Sequence, residues 1–267
     1  MTTEDRIIQI VCLVDDQMQE GSKHPQAKQY PSELVTIGLL FALKGGHFRA
    51  FSRWLKRDDD ALFAGLPDRT RLQRLLVTHQ DGNERFLADP SVFLVIDRFP
   101  IELLFPIRQG RSPRQFGRKS KDKGRWSIGI KLCWVLNRCG QVVDWDWDTM
   151  NVPDNEFHAL IQQFRGRSII LADYGFRRKD SVPENGKRCA KGTWNDRMTV
   201  ETSFSLLPVI CGLKRMYHRL EAFMQAHLAS AVALFPVLLT LFHQLHPDAD
   251  PLRMSIAAFR LSTSTIG

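Results

Sequence analysis

Two short apolar runs, SVFLVID at residues 91–97 and SIILAD at residues 168–173, decide the fold of this chain, and each ends in an aspartate. Both runs are rich in β-branched or other apolar residues, which predicts strands buried on both faces. Residues 126–136 and 141–149 predict two further strands joined by a turn, and residues 153–164 predict a helix that leads into the last strand. The pattern therefore predicts an α/β fold built on a mixed sheet.

The residues before the sheet predict short helices. Apolar residues recur at helical spacing in four segments, at residues 3–18, 32–43, 47–56 and 71–77. The turns between them are polar or contain glycine, which fits either a plain helical domain or one that includes a helix-turn-helix element. After the sheet, more helix is expected as far as about residue 246.

This organisation predicts a helical region at residues 1–89, a sheet-containing domain at residues 90–246 and a tail at residues 247–267. The longest uncharged apolar stretch, residues 228–242, is too short to span a bilayer comfortably and contains a proline, so a buried helix is expected. The acidic start of the chain lacks the pattern of a signal peptide. The five cysteines form no C-x-x-C pair, which argues against a disulfide framework and for a reducing compartment.

Positive charge is concentrated in one segment of the chain. The whole protein has a formal net charge of +8. Residues 98–131 alone contain ten Lys or Arg against two acids, a surplus of eight, so the rest of the chain is close to neutral. Glycine and proline in this segment predict a loop. A localised basic loop indicates a polyanionic partner, with phosphate contacts that supply affinity and salt dependence.

Three acidic residues carry the predicted chemistry. Asp97 and Asp173 each follow an apolar strand, so they would share one edge of the sheet if the strands are neighbours. Glu201, on a later predicted helix, could join them as a third carboxylate. Three convergent carboxylates repel one another, and a hard divalent cation such as Mg²⁺ relieves that repulsion. Two such ions about 4 Å apart can assist phosphoryl transfer. The alternative is that the aspartates cap turns and the glutamate is solvated.

Several cations are predicted to contact nucleic acid. Arg197, one helical turn before Glu201, could hold a phosphate beside the metals or simply form an ion pair with that glutamate. The other candidates all belong to the basic segment: Arg108, Arg111, Arg114, Arg118, Lys119, Lys121, Lys123, Arg125 and Lys131. The aspartates at residues 144–148 alternate with tryptophans and predict a solvated strand face.

Taken in order, several motifs resemble those of DDE transposases of bacterial insertion sequences, which have a ribonuclease-H-like catalytic core. VIDRFPI resembles the first-Asp motif and LADYGF the second, while NDRMTVETSFSLL resembles the Arg-x-x-x-Glu helix. These matches give Asp97, Asp173, Arg197 and Glu201. SIGIKL resembles the Gly-x-Lys strand, NVPDNEFHAL the helix start beyond the hairpin, and PSELVTIGLLFALKGGHFRAFSRWL the helical region before the core.

The resemblance implies a fold, a mechanism and partners. The fold would be a mixed-sheet ribonuclease-H-like core, preceded by a helical region that binds DNA ends and followed by C-terminal helices. Two Mg²⁺ ions on the three acids, with Mn²⁺ accepted, would activate water to free a 3′-OH at the element's end, and that hydroxyl would attack target DNA. The implied partners are DNA and at least one further copy of the chain, in the cytoplasm at the nucleoid, with no membrane and no small-molecule cofactor.

The chain departs from the family pattern at some positions. Pro208 stands where related enzymes often have lysine, a role that Lys214 or Arg215 could take, and Cys133 stands where many have histidine. Two other functions stay open beside the transposase. One is a metal-dependent nuclease of the same fold that cuts without strand transfer, and the other is a catalytically inactive transposase relic that binds DNA.

Overall fold

The computed structural model describes residues 2–18, 23–104, 109–113, 115–122, 124–172, 176, 183–188, 211, 213–249, 254 and 261. By their contacts, these residues form two units. The helical unit contains the described residues up to 86, together with 211, 213 and those from 217 onward. The sheet unit contains the described residues from 87 to 188, together with 214–216.

Helices dominate the first part of the chain and strands the middle part. In chain order, the elements are α1 (Thr3–Gln17), α2 (Pro31–Lys44), α3 (Phe48–Asp58), α4 (Arg69–Thr78), a 3₁₀ helix (Gln80–Phe86), β1 (Phe93–Leu104), β2 (Arg118–Asp122), β3 (Arg125–Asn137), β4 (Val142–Thr149), a 3₁₀ turn (Asp154–Phe157), α5 (His158–Gln162), β5 (Ile169–Ala172), β6 (Gly186–Arg188) and α6 (Glu221–Leu245). The four helices predicted before the sheet are confirmed, each within two residues of its predicted bounds.

Helices α2 and α6 form the interior of the helical unit. α2 is buried around its whole circumference from Leu34 to Leu43, as expected for an apolar helix enclosed on all sides. α6 packs against it so closely that a Cβ on Gly38 would lie 2.6 Å from Ser230 Oγ. Most of α6 is buried, which confirms the buried helix predicted at residues 228–242.

The packing of α6 bears on the organisation of the chain. The sequence predicts this helix within the sheet-containing domain, whereas its contacts lie with α1, α2 and α4 of the helical unit. The assignment of DNA-end binding to residues 1–89 and of catalysis to residues 90–246 stays a prediction.

The sheet is mixed and is built around β1 and β3. β1 pairs antiparallel with β3 and parallel with β5, and β6 extends the sheet in parallel beyond β5. The other edge of β3 is shared, because residues 125–129 pair with β2 and residues 130–136 pair with β4. The fold is therefore an α/β fold with an open mixed sheet, as predicted.

One face of this sheet packs against α5 and the 3₁₀ turn before it. The apolar residues in this core come from β1, β3, β4, β5 and the helical segment: Leu94, Ile96, Cys133, Val135, Val143, Phe157, Leu160, Ile161, Phe164, Ile170, Ala172 and Phe176. The predicted helix at residues 153–164 is thus present, but it is divided into the 3₁₀ turn and the short α5.

β1 is longer than the apolar run predicts, because it continues past Ile96 and through Pro100 to Leu104. Proline lacks an N–H, so within a sheet it belongs where that group would face away from a partner. The backbone N–H and carbonyl of Glu102 are directed away from β3, to residues 214–216. Pro100 has the same orientation two residues earlier, and the pairing with β5 ends at Ile96, so no ladder bond is lost.

The basic segment is only partly a loop. Residues 118–122 form β2, which pairs antiparallel with the start of β3 where a loop was expected. Lysine, serine and aspartate are weak strand formers, so the pairing with β3, and not the intrinsic propensity of these residues, makes this strand.

Candidate active site and basic hairpin

Asp97 lies in β1, one residue beyond the parallel pairing with β5. The last pair of that ladder is Ile96 and Ala172, and the residue that follows each of them in the chain is an aspartate. Asp97 is half-buried, and its Oδ1 accepts a hydrogen bond of 2.7 Å from the backbone N–H of Arg98. One carboxylate of the predicted site is therefore partly accessible at the end of the parallel ladder.

Asp173, Glu201 and Arg197 lie outside the described residues, so their distances to Asp97 stay predictions. Within the described ranges, no group of three or more His, Cys, Asp or Glu side chains is placed to hold a metal ion. Two of the three predicted ligands are not in those ranges, so the Mg²⁺ prediction is untested. The predicted donor set fits the ion, because Mg²⁺ prefers carboxylate oxygens and retains water and phosphate ligands.

A buried ion-pair network lies on the opposite face of the sheet from the Asp97 side chain. Asp154 Oδ2 accepts from Arg98 Nε at 2.5 Å, and Asp154 Oδ1 lies 2.7 Å from Lys131 Nζ. The same ammonium donates to the backbone carbonyl of Val152 at 2.5 Å. The side chains of Lys131 and Asp154 are 10% and 7% exposed. Lys131 thus differs from the exposed cations in the described part of the basic segment, because its charge is bound inside the sheet unit.

This network joins two of the motifs that carry the family resemblance. SIGIKL supplies Lys131 and NVPDNEFHAL supplies Asp154, so the ion pair ties the start of the helical segment to β3. The glycine of SIGIKL has a steric role, because a Cβ on Gly129 would lie 1.9 Å from the carbonyl oxygen of Ile101. Only glycine lets β1 and β3 approach this closely. The sequence gives no indication of these structural roles, because each depends on a residue far away in the chain.

Acidic side chains influence Cys133 in the core beside this network. Burial raises the pKa of the Cys133 thiol, and the charges of Asp97, Asp146 and Asp154 raise it further. Partial desolvation likewise raises the pKa of Asp146, helped by the neighbouring aspartates of β4 and opposed by a hydrogen bond from the backbone N–H of Trp147. Cys133 is therefore a neutral core thiol, unlike the thiolates that act as nucleophiles.

β2 and the start of β3 form what we call the basic hairpin, residues 118–122 and 124–126. Its cations are exposed, as is the arginine just before it: Arg111, Arg118, Lys119, Lys121 and Arg125. The remaining candidates of the segment, Arg108, Arg114 and Lys123, lie outside the described residues. Lys119 Nζ lies 4.8 Å from the ring centroid of Trp126, whose side chain is 51% exposed. The exposed cations form a surface that suits a polyanion.

Glu102 connects this hairpin to a later part of the chain. Its Oε2 lies 2.7 Å from Arg215 Nη2 and 3.3 Å from Arg125 Nη2, and its side chain is 12% exposed. Arg215, one of the two residues that could take the family's lysine role, is therefore held by a carboxylate of β1. Arg125 is 69% exposed, so its contact with Glu102 is weakened by water.

A histidine pair in the helical unit was not predicted to have a role. His218 Nε2 and His227 Nδ1 lie 2.8 Å apart, and the ring of Phe41 stacks on His227 with centroids 4.2 Å apart. Burial lowers the pKa of His218 to about 4 and lowers that of His227 as well. Both imidazoles are therefore neutral at pH 7, and their separation of nine positions in the sequence gives no signal for the pair.

One helix in the described part of the chain is long and apolar enough to cross a membrane, α6. A second candidate arises only if α2 and α3, which meet at a bend of 115°, are counted as one span. The apolar window of α6 is 78% buried within the protein, as in a core helix of a soluble protein.

No family model matches this chain, and no curated protein matches it.

Proposed function

We propose that this protein is a DDE transposase of the insertion-sequence type, which cleaves DNA at element ends and joins the freed 3′-OH to target DNA. The observation that carries the proposal is the parallel register of β1 and β5, which ends at Ile96 and Ala172. In the sequence, Asp97 follows Ile96 and Asp173 follows Ala172. β1 itself continues to Leu104 beside β3, so it is the parallel ladder that ends here, and α/β proteins bind ligands at the carboxyl ends of parallel strands. Paired acids at such ends suit metal-assisted phosphoryl transfer.

The strand order supports a ribonuclease-H-like core. β3 runs antiparallel to both of its neighbours, β4 and β1, and β5 and β6 continue in parallel on the far side of β1. α5 lies between β4 and β5 in the chain and packs on one face of the sheet. The chain order of β1, β3, β4, α5 and β5 is the one predicted from the sequence, and β2 is added at the edge of β3.

In this proposal the carboxylates of Asp97, Asp173 and Glu201 hold two Mg²⁺ ions. When bound, the ions activate the attacking oxygen and stabilise the leaving one. The hydrogen bond from the Arg98 N–H orients the Asp97 carboxylate. Arg197 would bind a phosphate beside the acids.

The exposed cations of the basic hairpin support DNA as the substrate. They are close together on one exposed β-hairpin of the sheet unit, where they can neutralise successive phosphates. Such contacts position the DNA without reading its sequence. The proposal includes a second copy of the chain, because two element ends must be joined in one event, and a location in the cytoplasm at the nucleoid.

The test is cleavage and joining of a labelled duplex that carries the element's own end, with Mg²⁺, Mn²⁺ or EDTA. Wild-type protein is expected to cut and join with either metal and to do neither in EDTA. Asp97→Asn and Glu201→Gln are each expected to abolish both steps. Glu184→Gln is the matched control, because Glu184 is an exposed acid of the sheet unit that pairs only with Arg165 among the contacts described for it. This control is expected to keep full activity.

The other outcomes separate the remaining functions. Metal-dependent cutting without joining would identify a nuclease of the same fold. Salt-sensitive DNA binding without any cutting would identify an inactive relic. Activity that survives Asp97→Asn would remove Asp97 from the catalytic site and with it the observation on which the proposal depends.

A further inference from the structure

We propose that the basic hairpin binds an unpaired DNA nucleotide, with the indole of Trp126 as a stacking surface and the ammonium groups of Lys119 and Lys121 as phosphate contacts. The choice of DNA as the partner rests on the proposed function. The preference for an unpaired base goes beyond it, and it follows from the geometry of this hairpin.

Three side chains of the hairpin share one face. Lys121 is the direct antiparallel partner of Trp126, and Lys119 is its diagonal neighbour across the same two strands. Diagonal neighbours lie within reach of aromatic and long side chains. Lys119 does contact the indole, because its Nζ lies 4.8 Å from the Trp126 ring centroid.

The exposure of the indole distinguishes this position. Trp126 is 51% exposed, whereas Trp134, eight residues further along β3 and on the same face, is 1% exposed. An exposed indole beside two ammonium groups combines a flat π surface with positive charge. The ammonium of Lys119 also restrains the ring through a cation–π contact, so part of the ordering needed for stacking is already present.

Proteins that bind single-stranded nucleic acid combine these same two features, a charged path for the backbone and aromatic rings on which bases stack. In a duplex, the bases are already stacked on one another, so their flat faces are not accessible to an indole. Trp126 should therefore contribute to the binding of unpaired DNA alone. The lysines should contribute to both forms, because both carry phosphates.

The hairpin is remote from Asp97. Trp134 is the antiparallel partner of Asp97, and eight residues of strand separate Trp134 from Trp126. At about 3.3 Å per residue this is roughly 26 Å, or about eight nucleotides of a stacked strand at about 3.4 Å each. The nucleotide site is therefore distinct from the proposed cleavage site, and its occupancy can be measured without any reaction.

The competing explanation is that the lysines protect an exposed edge. β2 lies at the edge of β3, and lysines on edge strands block pairing with other chains. In that case the contact between Lys119 and Trp126 only stabilises the hairpin. Replacing the tryptophan would then change the binding of single-stranded and duplex DNA equally, or change neither.

The experiment measures the affinity of the full chain, in EDTA, for a fluorescent oligothymidylate of about 12 nucleotides and for a duplex of the same length. Trp126→Ala is expected to weaken binding of the single strand roughly 5- to 150-fold and binding of the duplex less than about twofold. Trp126→Phe should recover most of the loss, because phenylalanine retains a ring. Phe93→Ala is the matched control, since Phe93 is a 45% exposed aromatic residue of the same unit, and it should leave both affinities unchanged.

Two results would overturn the inference. One is a single-strand affinity for Trp126→Ala within about twofold of wild type, and the other is an equal loss for both forms of DNA. The outcome is independent of the cleavage assay. A selective loss in a protein that never cuts DNA would keep the nucleotide site and reject the transposase, whereas cutting without a selective loss would do the reverse.

Discussion

Asp154→Ala tests the buried ion-pair network of the sheet unit. Asp154 accepts from Lys131 and Arg98, and its side chain is 7% exposed. Without this carboxylate, the Lys131 ammonium would remain in a site that is 10% exposed, and among the described residues the backbone carbonyl of Val152 would be its remaining hydrogen-bond acceptor. Arg98 is 36% exposed, so water can replace its lost partner.

The expected loss of stability follows from this difference in burial. Removing one partner of a buried ion pair destabilises a protein by about 3–5 kcal/mol, because the remaining charge is left unpaired. Only one of the two cations bound to Asp154 is deeply buried, so we expect a loss near the lower limit, about 3 kcal/mol. Lys131→Met in the same chain should recover much of it, since no buried charge then remains.

Urea unfolding followed by tryptophan fluorescence measures these free energies. The matched control is Glu184→Ala, which removes a contact of 2.6 Å between Arg165 Nη2 and Glu184 Oε2 in the same unit. These side chains are 72% and 74% exposed, so the expected loss is at most about 1 kcal/mol. The reasoning is refuted if Asp154→Ala costs no more than the control, or if Lys131→Met added to Asp154→Ala lowers stability further.

Three further predictions concern packing and pH. Gly129→Ala should destabilise the sheet unit by about 3 kcal/mol or more in the same urea assay, because the new Cβ would overlap the carbonyl oxygen of Ile101 in β1. Gly124→Ala is the control: Gly124 has a φ of +85° but no atom close to the position of a Cβ, so the loss should be only about 1–2 kcal/mol. Burial raises the pKa of Asp59 to about 6, so the ionised carboxylate destabilises the folded state at pH 7.5. Asp59→Asn removes that charge and should raise the thermal unfolding midpoint at pH 7.5. Below about pH 4 the carboxyl is protonated in both states, so the midpoint should be unchanged. Burial lowers the pKa of His218 to about 4 and also lowers that of His227, so as pH falls below about 6.5 these histidines bind protons in the unfolded chain before they do so in the folded protein. The free energy of unfolding of the wild type should therefore decline between about pH 6.5 and pH 4. His227→Phe removes one of the two histidines, so its decline should be less steep.

The helices and most strands were predictable because their signals are local. The apolar runs ending at Ile96 and Ala172 carry enough hydrophobicity to predict buried strands, and both are strands. Pro100 reads as the end of a strand, and only the directions of the neighbouring backbone groups show why β1 can include it. β2 could not be predicted, because its residues form a strand only through pairing with β3.

The candidate site was predictable to a smaller degree. The sequence identifies Asp97 by the apolar run before it and predicts it at the end of a strand, whereas it lies within β1, one residue beyond the pairing with β5. Lys131 was predicted to contact DNA because a lysine in a basic segment carries no mark of burial. Its partner Asp154 is 23 residues away in the chain, and an interaction over such a separation is visible only in the folded protein.

The structural roles of the motif residues change what their presence implies. Gly129, Lys131 and Asp154 hold β1, β3 and the helical segment together, so a protein that lost catalysis would still need them to fold. Their match to the transposase pattern therefore bears on the fold, whereas the proposed activity requires the three predicted acids. Asp97→Asn tests activity separately from folding, because asparagine keeps an Oδ1 acceptor for the Arg98 N–H but removes the negative charge that the proposed metal site requires. We expect this variant to keep wild-type stability in urea and to lose all cleavage, whereas Asp154→Ala should lose about 3 kcal/mol of stability.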